Sequence, residues 1–370
     1  MDILFISEQQ ARHISEADTG TLGEDGFLWL DASHAEVSAD VPAWRAAIER
    51  ITGVQLHELH VSDAVNLKHP SYFDSTRDYE LVVFRKLALS KEMNGDAVPQ
   101  AASDAEARRK IPPALSKLVT QPVTFLVLDH ALVTVHGEPG RTIEQARKRL
   151  LDYQPKAGAS HAGRPPASPR ELMLRLLNAM VDQYLELRQP LTTQIDRWQR
   201  ALLNPRRPFN DWMALLDARI ELRKLDLLCE EQHDALQELR DHFVDTAHDG
   251  ENSRAKDLLL VRINDVMEHV TRVLNHARRL EASIESAVQI HFSAMAHRTS
   301  EIMRTLTVLT ALFMPLTLIT GIFGMNFIDM PLLENHDGFW IVMGTMGVTV
   351  ALALLIFRRK RFLEDRNADN

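Results

Sequence analysis

An uncharged stretch near the C-terminal end of the sequence carries small and hydroxyl residues on one helical face. Within residues 305–328, spacings of seven, four and three residues separate Thr310, Thr317, Gly321 and Gly324. Such spacings bring side chains onto one face of a helix. Neutral oxygen atoms on this face suit the lining of an ion path, whereas small residues on one face also favour close packing of membrane helices. Periodicity alone leaves pore lining and helix packing equally open.

Three long apolar residues accompany these polar positions. Met303, Leu306 and Met314 fall on or beside the same face of the predicted helix. If this face lined a pore, rings of such side chains would close it by excluding water. The candidate pore-lining residues are therefore Met303, Leu306, Thr310, Met314, Thr317 and Gly321.

Two uncharged stretches are each long enough to cross a bilayer. Residues 305–328 and residues 338–357 contain no Asp, Glu, Lys or Arg, and a spanning helix needs about 20 apolar residues. Helices buried in a soluble core seldom run this long without a charged residue. We therefore predict two transmembrane helices, of which the first is the candidate pore helix.

The charges that flank these stretches predict how the chain crosses the membrane. The loop of residues 329–337 carries three acidic residues and no Lys or Arg. A basic cluster follows the second stretch, at Arg358, Arg359, Lys360 and Arg361. Because basic residues stay on the cytoplasmic side, we expect the tail of residues 358–370 and the N-terminal part in the cytoplasm, with the acidic loop outside. The four basic residues are then topology anchors.

A long helical segment leads into the first of the two stretches. Residues 251–314 contain neither Gly nor Pro. Two series recur every seven positions: Ile263, Val270, Ala277, Ile284 and the polar His291; and Val266, Val273, Leu280, Ala287 and Ala294. This repeat is typical of a coiled-coil seam with one polar interruption. A helix continuous to Phe323 would be about 110 Å long, so it must pack against copies of itself or against the two helices that precede it.

The N-terminal residues 1–157 have the pattern of an α/β domain. Runs rich in Val, Leu and Phe predict strands at residues 27–30, 79–89, 123–128 and 131–136, and helical spacing predicts a helix at residues 41–51. The polar residues 91–121 are predicted to form a mobile insertion, because they combine an Asn-Gly and a Pro-Pro pair.

The rest of the chain before the membrane is predicted to be helical. Residues 158–168 have the composition of a linker, and Ser168 followed by Pro169 favours a helix start. Residues 169–304 then form a helical stalk or coiled-coil region. The predicted fold class is an α+β membrane protein with a cytoplasmic α/β domain and a stalk helix continuous with the first of two C-terminal transmembrane helices.

Charge and cysteine content exclude several classes of protein. The net charge of −9 over 370 residues gives no basic surface of the kind that binds nucleic acid. Cys229 is the sole cysteine, so an intramolecular disulfide is impossible, as suits a reducing compartment. The first residues lack the basic start and apolar core of a signal peptide. The sequence contains no nucleophile motif, and neither an enzymatic role nor an organic cofactor is predicted.

The tripeptide Gly324-Met325-Asn326 at the outer end of the first predicted span identifies a family. Together with residues 313–317 (Phe-Met-Pro-Leu-Thr), the short acidic loop, the final span and the basic tail, it resembles the CorA family of magnesium and divalent-cation transporters. The resemblance covers most of the chain and is sharpest over residues 257–361.

This resemblance implies a funnel-shaped homopentamer in the inner membrane, with Mg²⁺ as the transported ion. It implies that Asn326 forms the outer ring of the pore mouth with Gly324 and Met325. It also implies that Asp265 lies at a subunit interface where cytoplasmic Mg²⁺ binds and holds the channel closed. Asp63 is then the expected partner across that interface.

Three functions remain compatible with the sequence. The first is a passive Mg²⁺ channel that also admits Co²⁺ or Ni²⁺. The second is a Zn²⁺ transporter, with or without proton coupling, although the zinc branch typically carries Gly-Ile-Asn where this chain has Met325. The third is a membrane-anchored coiled-coil scaffold or sensor, which the polar face of the first span disfavours.

Overall fold

A computed structural model describes the chain in eleven segments: residues 1–7, 9–21, 26–88, 118–138, 140–153, 164–202, 204, 209, 212–246, 253–325 and 336–359. Contacts divide the chain into a unit of residues Met1–Ser286 and a unit of residues Ala287–Asn370. The first unit contains a sheet and a bundle of helices. The second contains the end of one long helix and a further apolar helix.

The sheet has seven strands in the order β2-β1-β3-β7-β6-β5-β4. The strands are β1 (Asp2–Ile6), β2 (Ala11–His13), β3 (Phe27–Ser33), β4 (Tyr72–Ser75), β5 (Glu80–Ala88), β6 (Val119–Val127) and β7 (Ala131–His136). Strands β3 and β7 are parallel, with Ser33 opposite His136, and the other neighbouring pairs are antiparallel. A parallel pair needs a long crossover, and here nearly a hundred residues separate β3 from β7.

Eight α-helices complete the described parts of the chain. They are α1 (His34–Ala39), α2 (Val41–Thr52), α3 (Glu58–Val65), α4 (Arg141–Leu151), α5 (Pro169–Leu202), α6 (Trp212–Asp245), α7 (Ser253–Phe323) and α8 (Gly338–Arg359). A short 3₁₀ helix, Glu16–Thr21, precedes β3.

Side chains alternate between the two faces of the sheet, so each strand contributes to two cores. Leu30 and Val133 point to the face covered by α1, α2 and α3. Trp29 and Leu132 point to the face covered by α4, α5, α6 and the first part of α7. The sheet is therefore a middle layer between helices, which accounts for the apolar character of the predicted strands.

Local signals start and stop several helices. Ser33 and Glu36 form a capping box at α1, and the Asp40 carboxylate accepts a hydrogen bond from the Ala43 N–H at α2. The Ser168 hydroxyl accepts from the Glu171 N–H at 3.2 Å, so the predicted cap of α5 is confirmed. Gly53 ends α2 with a φ of 72°, a conformation that favours glycine.

The seven-residue seam of α7 packs inside the chain as far as Ala287. Both apolar series are buried from Ile263 to Ala287, in contact with α5 and α6 over much of that length. Arg278 Nε also reaches Asp226 Oδ1 on α6 at 2.7 Å. Beyond Ala287 the side chains are largely exposed, and His291 and Ala294 contribute to no core. Within the chain, the two preceding helices therefore cover the seam over much of its length up to Ala287.

Two predicted boundaries are wrong. The insertion predicted at residues 91–121 is too long, because β6 begins at Val119 and Thr120 pairs with Leu87 in the ladder. The polar residues at positions 120 and 121 hid this strand end. The first span was predicted to reach residue 328, but its helix ends at Phe323, where glycine follows. The rest of the insertion and residues 154–163 of the linker region lie outside the described residues.

Candidate ion path and regulatory carboxylates

The polar face of α7 keeps its hydroxyl groups bonded to its own backbone. The Thr310 hydroxyl donates to the Leu306 carbonyl at 2.8 Å, and the Thr317 hydroxyl donates to the Phe313 carbonyl at 2.9 Å. Because each donor is used within the helix, each hydroxyl presents its oxygen lone pairs outward. Water molecules around a cation point their hydrogens outward, so such oxygens can accept from them.

The apolar and small positions share this face of α7. Met303, Leu306 and Met314 are exposed within the single chain. A methyl group added at Gly321 would meet no atom within 4 Å. Both apolar helices have the length and composition to cross a membrane, and neither apolar segment is buried inside the chain. The pore-lining residues predicted from spacing therefore lie together along one uncovered face.

The tripeptide of residues 324–326 follows directly on the end of α7. The Gly324 N–H donates to the Thr320 carbonyl at 2.9 Å, and the Met325 N–H donates to the Ile322 carbonyl at 3.2 Å. A side chain at Gly324 would approach the Thr320 carbonyl oxygen to 3.0 Å, so glycine permits this tight turn. Asn326 lies outside the described residues, as do Lys360 and Arg361, whereas Arg358 and Arg359 form the last turn of α8.

Asp265 lies on a part of α7 that faces away from the bundle. Its side chain is 55% exposed. Val261 and Leu258, one and two turns earlier on the same face, are also exposed. His269, one turn later, approaches Asp265 Oδ1 with Nε2 at 3.7 Å and Asp182 Oδ1 with Nδ1 at 3.1 Å. Sequence reasoning missed His269, although its spacing of four residues from Asp265 was a signal.

Asp63 occupies the last turn of α3. Its Oδ1 lies 3.4 Å from His69 Nε2, and its side chain is 28% exposed. Leu59 and Leu67 on either side of it are exposed large apolar residues. Asp63 and Asp265 thus have similar surroundings, in which a carboxylate lies among uncovered apolar side chains.

A partly buried hydrogen-bond network orients α3. His60 contacts the Tyr79 hydroxyl with Nδ1 at 2.8 Å and Asp74 Oδ2 with Nε2 at 3.0 Å. The same Tyr79 hydroxyl accepts from the His57 N–H at 2.9 Å, next to the start of α3. Sequence reasoning missed these residues, because no local pattern links α3 to β4 and β5.

The structure does not bring Asp63 and Asp265 together within one chain. Among the described residues, no three His, Cys, Asp or Glu side chains converge as a metal site requires. Asp63 contacts His69 and Asp265 contacts His269, and neither contacts the other. A site that uses both carboxylates therefore needs a second subunit.

A cavity of about 450 Å³ lies at the carboxyl ends of the parallel strands β3 and β7. Asp31 and His136 line it beside Arg147. Burial by itself lowers the pKa of His136, but the hydrogen bond and charge of Asp31 outweigh burial, so the pKa lies above its ordinary value. The Asp31 carboxylate lies between the two, 3.3 Å from His136 Nε2 and 3.6 Å from Arg147 Nη2.

An α+β domain followed by two helices able to cross a membrane defines the class of the chain as a membrane protein. The chain matches the family described as CorA-like Mg²⁺ transporter protein over residues 24–359. It therefore belongs to this family, as the resemblance predicted.

Similar proteins with curated descriptions carry the family name. The cobalt/magnesium transport protein CorA of Thermotoga maritima is 27% identical over 312 residues, which cover 83% of this chain and 77% of that protein. The magnesium transport protein CorA of Campylobacter jejuni (strain RM1221) is 24% identical over 259 residues, covering 67% of this chain and 71% of that protein.

Solved structures support the fold. The complete structure of the CorA magnesium transporter from Methanocaldococcus jannaschii matches with a TM-score of 0.63 and 17% identity over 97% of this chain and 98% of that chain. The full-length CmaX protein matches with a TM-score of 0.62 and 17% identity over 98% of this chain and 97% of that chain. At this identity the likeness concerns the fold alone, and it confirms the predicted fold class.

Proposed function

We propose that this chain is one subunit of a homo-oligomeric inner-membrane channel for Mg²⁺, closed by cytoplasmic Mg²⁺ at the subunit interfaces. One observation carries the proposal. The single helix α7 bears both the exposed carboxylate Asp265 and, nearer its C-terminal end, the uncovered face of hydroxyl, glycine and apolar residues. A change at the carboxylate can therefore act on the same helix that lines the path.

The ion path forms when α7 helices from several subunits, five by family resemblance, surround one axis. Mg²⁺ gives up its water reluctantly, so the path must accept a hydrated ion. Thr310 and Thr317 offer acceptor oxygens to its water molecules, and Asn326 forms a neutral oxygen ring at the mouth with Gly324 and Met325. Met303, Leu306 and Met314 close the path by excluding water when the subunits approach.

Regulation follows from the surroundings of the two carboxylates. Leu59 and Leu67 near Asp63, and Leu258 and Val261 near Asp265, are apolar surfaces that a neighbouring subunit would cover. Covering them brings Asp63 of one subunit towards Asp265 of the next. Mg²⁺ between the carboxylates favours the closed arrangement, because it binds that arrangement more tightly. Without the ion, the two negative charges repel and the interface loosens.

The charges at the membrane boundary set the topology. Arg358 and Arg359 end α8, and Lys360 and Arg361 follow them. Basic residues at this position place the C-terminal tail and the N-terminal domain in the cytoplasm, and the loop of residues 329–337 outside. The lipid bilayer and further copies of the chain are the partners, and Mg²⁺ is both the transported and the regulatory ion.

The test is uptake of Mg²⁺ and of Zn²⁺ into liposomes that contain only the purified protein, with and without a pH gradient. Mg²⁺ entry that ignores the gradient and is lost in Asn326→Ala is the expected result. Asn275→Ala, on the exposed surface of α7 outside the span, is the matched control and retains uptake. Zn²⁺ uptake that follows the pH gradient would assign the chain to zinc transport. Absence of flux for both ions would favour a scaffold.

A further inference from the structure

Arg85, in β5, binds the turn that follows α3. Its Nη1 donates to the backbone carbonyls of Leu67 at 3.1 Å and His69 at 2.7 Å. Its Nε and Nη2 donate to the Thr120 hydroxyl at 3.0 and 2.8 Å, and Nη2 also donates to the Thr120 carbonyl at 3.1 Å. One planar guanidinium therefore fixes the turn of residues 66–71 relative to strand β6.

The main chain of Arg85 is itself held on both sides. Its carbonyl accepts from Gln232 Nε2 on α6 at 2.6 Å and from the Tyr184 hydroxyl on α5 at 3.4 Å. Its N–H donates to the Ser71 hydroxyl at 3.2 Å. Because Tyr184 and Gln232 are buried, these bonds are shielded from water. The side chain of Arg85 thus extends from a firmly supported point of the sheet.

The turn that Arg85 binds also contacts Asp63. The Asn66 N–H donates to the Asp63 carbonyl at 3.2 Å and ends α3. His69 Nε2 lies 3.4 Å from Asp63 Oδ1, and the His69 carbonyl is the nearer of the two carbonyl acceptors of Arg85 Nη1. The position of the Asp63 carboxylate therefore depends on the path of this turn, and the guanidinium sets that path.

We propose that Arg85 is a positioning residue for Asp63, and that it sets how tightly the subunit interface holds a divalent cation. This inference rests on the proposed function, in which Asp63 and Asp265 bind Mg²⁺ between subunits. A carboxylate that is already held in place loses less conformational freedom when a cation binds. Lysine cannot take the place of Arg85, because a single ammonium group lacks the planar fork that reaches three acceptor residues at once.

The experiment compares full-length purified protein with the variant Arg85→Lys, which retains the charge. The rate of tryptic cleavage is measured as Mg²⁺ is titrated, and the midpoint is the concentration of half-maximal protection. We expect Arg85→Lys to raise this midpoint several-fold. Arg175→Lys is the matched control, because Arg175 also joins a backbone carbonyl, that of Arg164 at 2.6 Å, to a second partner, Glu171 at 2.7 Å. The variant Arg175→Lys is expected to leave the midpoint unchanged.

A double variant separates positioning from general weakening of the fold. Asp63→Asn raises the midpoint, and adding Arg85→Lys to it produces no further rise, because the positioned carboxylate is gone. An unchanged midpoint in folded Arg85→Lys would overturn the inference. An equal rise from Arg85→Lys in the Asp63→Asn background would overturn it as well, since Arg85 would then act independently of Asp63.

Two further variants make every outcome decisive. If Arg85→Lys fails to fold, Thr120→Val takes its place, because it removes one side-chain acceptor of the guanidinium. Thr120→Val is expected to raise the midpoint above that of the unmodified protein, and an unchanged midpoint opposes the inference. If Asp63→Asn and Asp265→Asn both keep the original midpoint, the proposed regulatory site itself is wrong. A shift in both of these with none in Arg85→Lys would leave that site intact and remove the role of Arg85 alone.

Discussion

The His136 imidazole lies 3.3 Å from the Asp31 carboxylate, where the parallel strands β7 and β3 end side by side. Both residues are buried, and Arg147 approaches the other oxygen of Asp31 at 3.6 Å. The pair joins two strands that are distant in the sequence. A buried ion pair of this kind is costly to break on one side only.

The fall in the free energy of unfolding at alkaline pH, the alkaline limb of the stability curve, should depend on His136. Its pKa is raised in the folded chain, so its contribution is fully present below the unfolded pKa of about 6.5 and is lost as pH rises through the folded value. Denaturant unfolding of the full-length protein, followed by tryptophan fluorescence, is expected to show this loss. His136→Gln should be less stable at low pH and should show a flatter alkaline limb. An unchanged alkaline limb would contradict the assignment.

The fall in the free energy of unfolding at acid pH, the acid limb of the same curve, should depend on His34. His34 is a control because its pKa is shifted in the opposite direction. Burial, reinforced by the nearby His136, lowers the pKa of His34 below its ordinary value. Its contribution is therefore present above the unfolded pKa of about 6.5 and is lost as pH falls through the folded value. In the same unfolding measurement, His34→Leu should retain more of its stability at acid pH and keep the alkaline limb. A steeper acid limb in His34→Leu would oppose this account.

Removal of the charge at Asp265 should weaken regulation by Mg²⁺. Asp265→Asn is expected to raise the Mg²⁺ concentration of half-maximal protection from trypsin several-fold, because an amide binds the ion less tightly than a carboxylate. Glu268→Gln is the matched control. Glu268 lies on the same side of α7 and is paired with Arg272 at 2.6 Å. Equal shifts in the two variants would indicate a general effect of surface charge and contradict a specific site.

Replacement of Thr310 by valine should slow ion entry. Valine retains the shape of the side chain but removes the outward oxygen, so Mg²⁺ uptake by liposomes is expected to fall several-fold. Thr345→Val is the control, because the Thr345 hydroxyl makes the same bond to the carbonyl four residues earlier, at 2.8 Å, but lies on α8. If Thr310→Val keeps full uptake, the face is a packing surface at this position.

The helical and membrane-spanning parts of the chain could be predicted from the sequence because their signals are local. The absence of glycine and proline over residues 251–314 and two seven-residue series indicated α7. Two uncharged stretches indicated the end of α7 and α8, and the tripeptide at residues 324–326 indicated the family. These patterns depend on neighbours within a few turns of one helix. The predicted strands at residues 27–30 and 131–136 correspond to β3 and β7 for the same reason.

The tertiary structure alone decided which distant segments meet. Three of its contacts join residues far apart in sequence. Strand β3 pairs in parallel with β7, and the α7 seam is buried against α5 and α6 only as far as Ala287. The guanidinium of Arg85 bridges two carbonyls and Thr120. Strands β1 and β4 and the helices α3 and α4 also escaped prediction, because short elements draw their stability from such contacts. Local periodicity specifies which face of an element is apolar, but the partner that covers the face is chosen by packing of the whole chain.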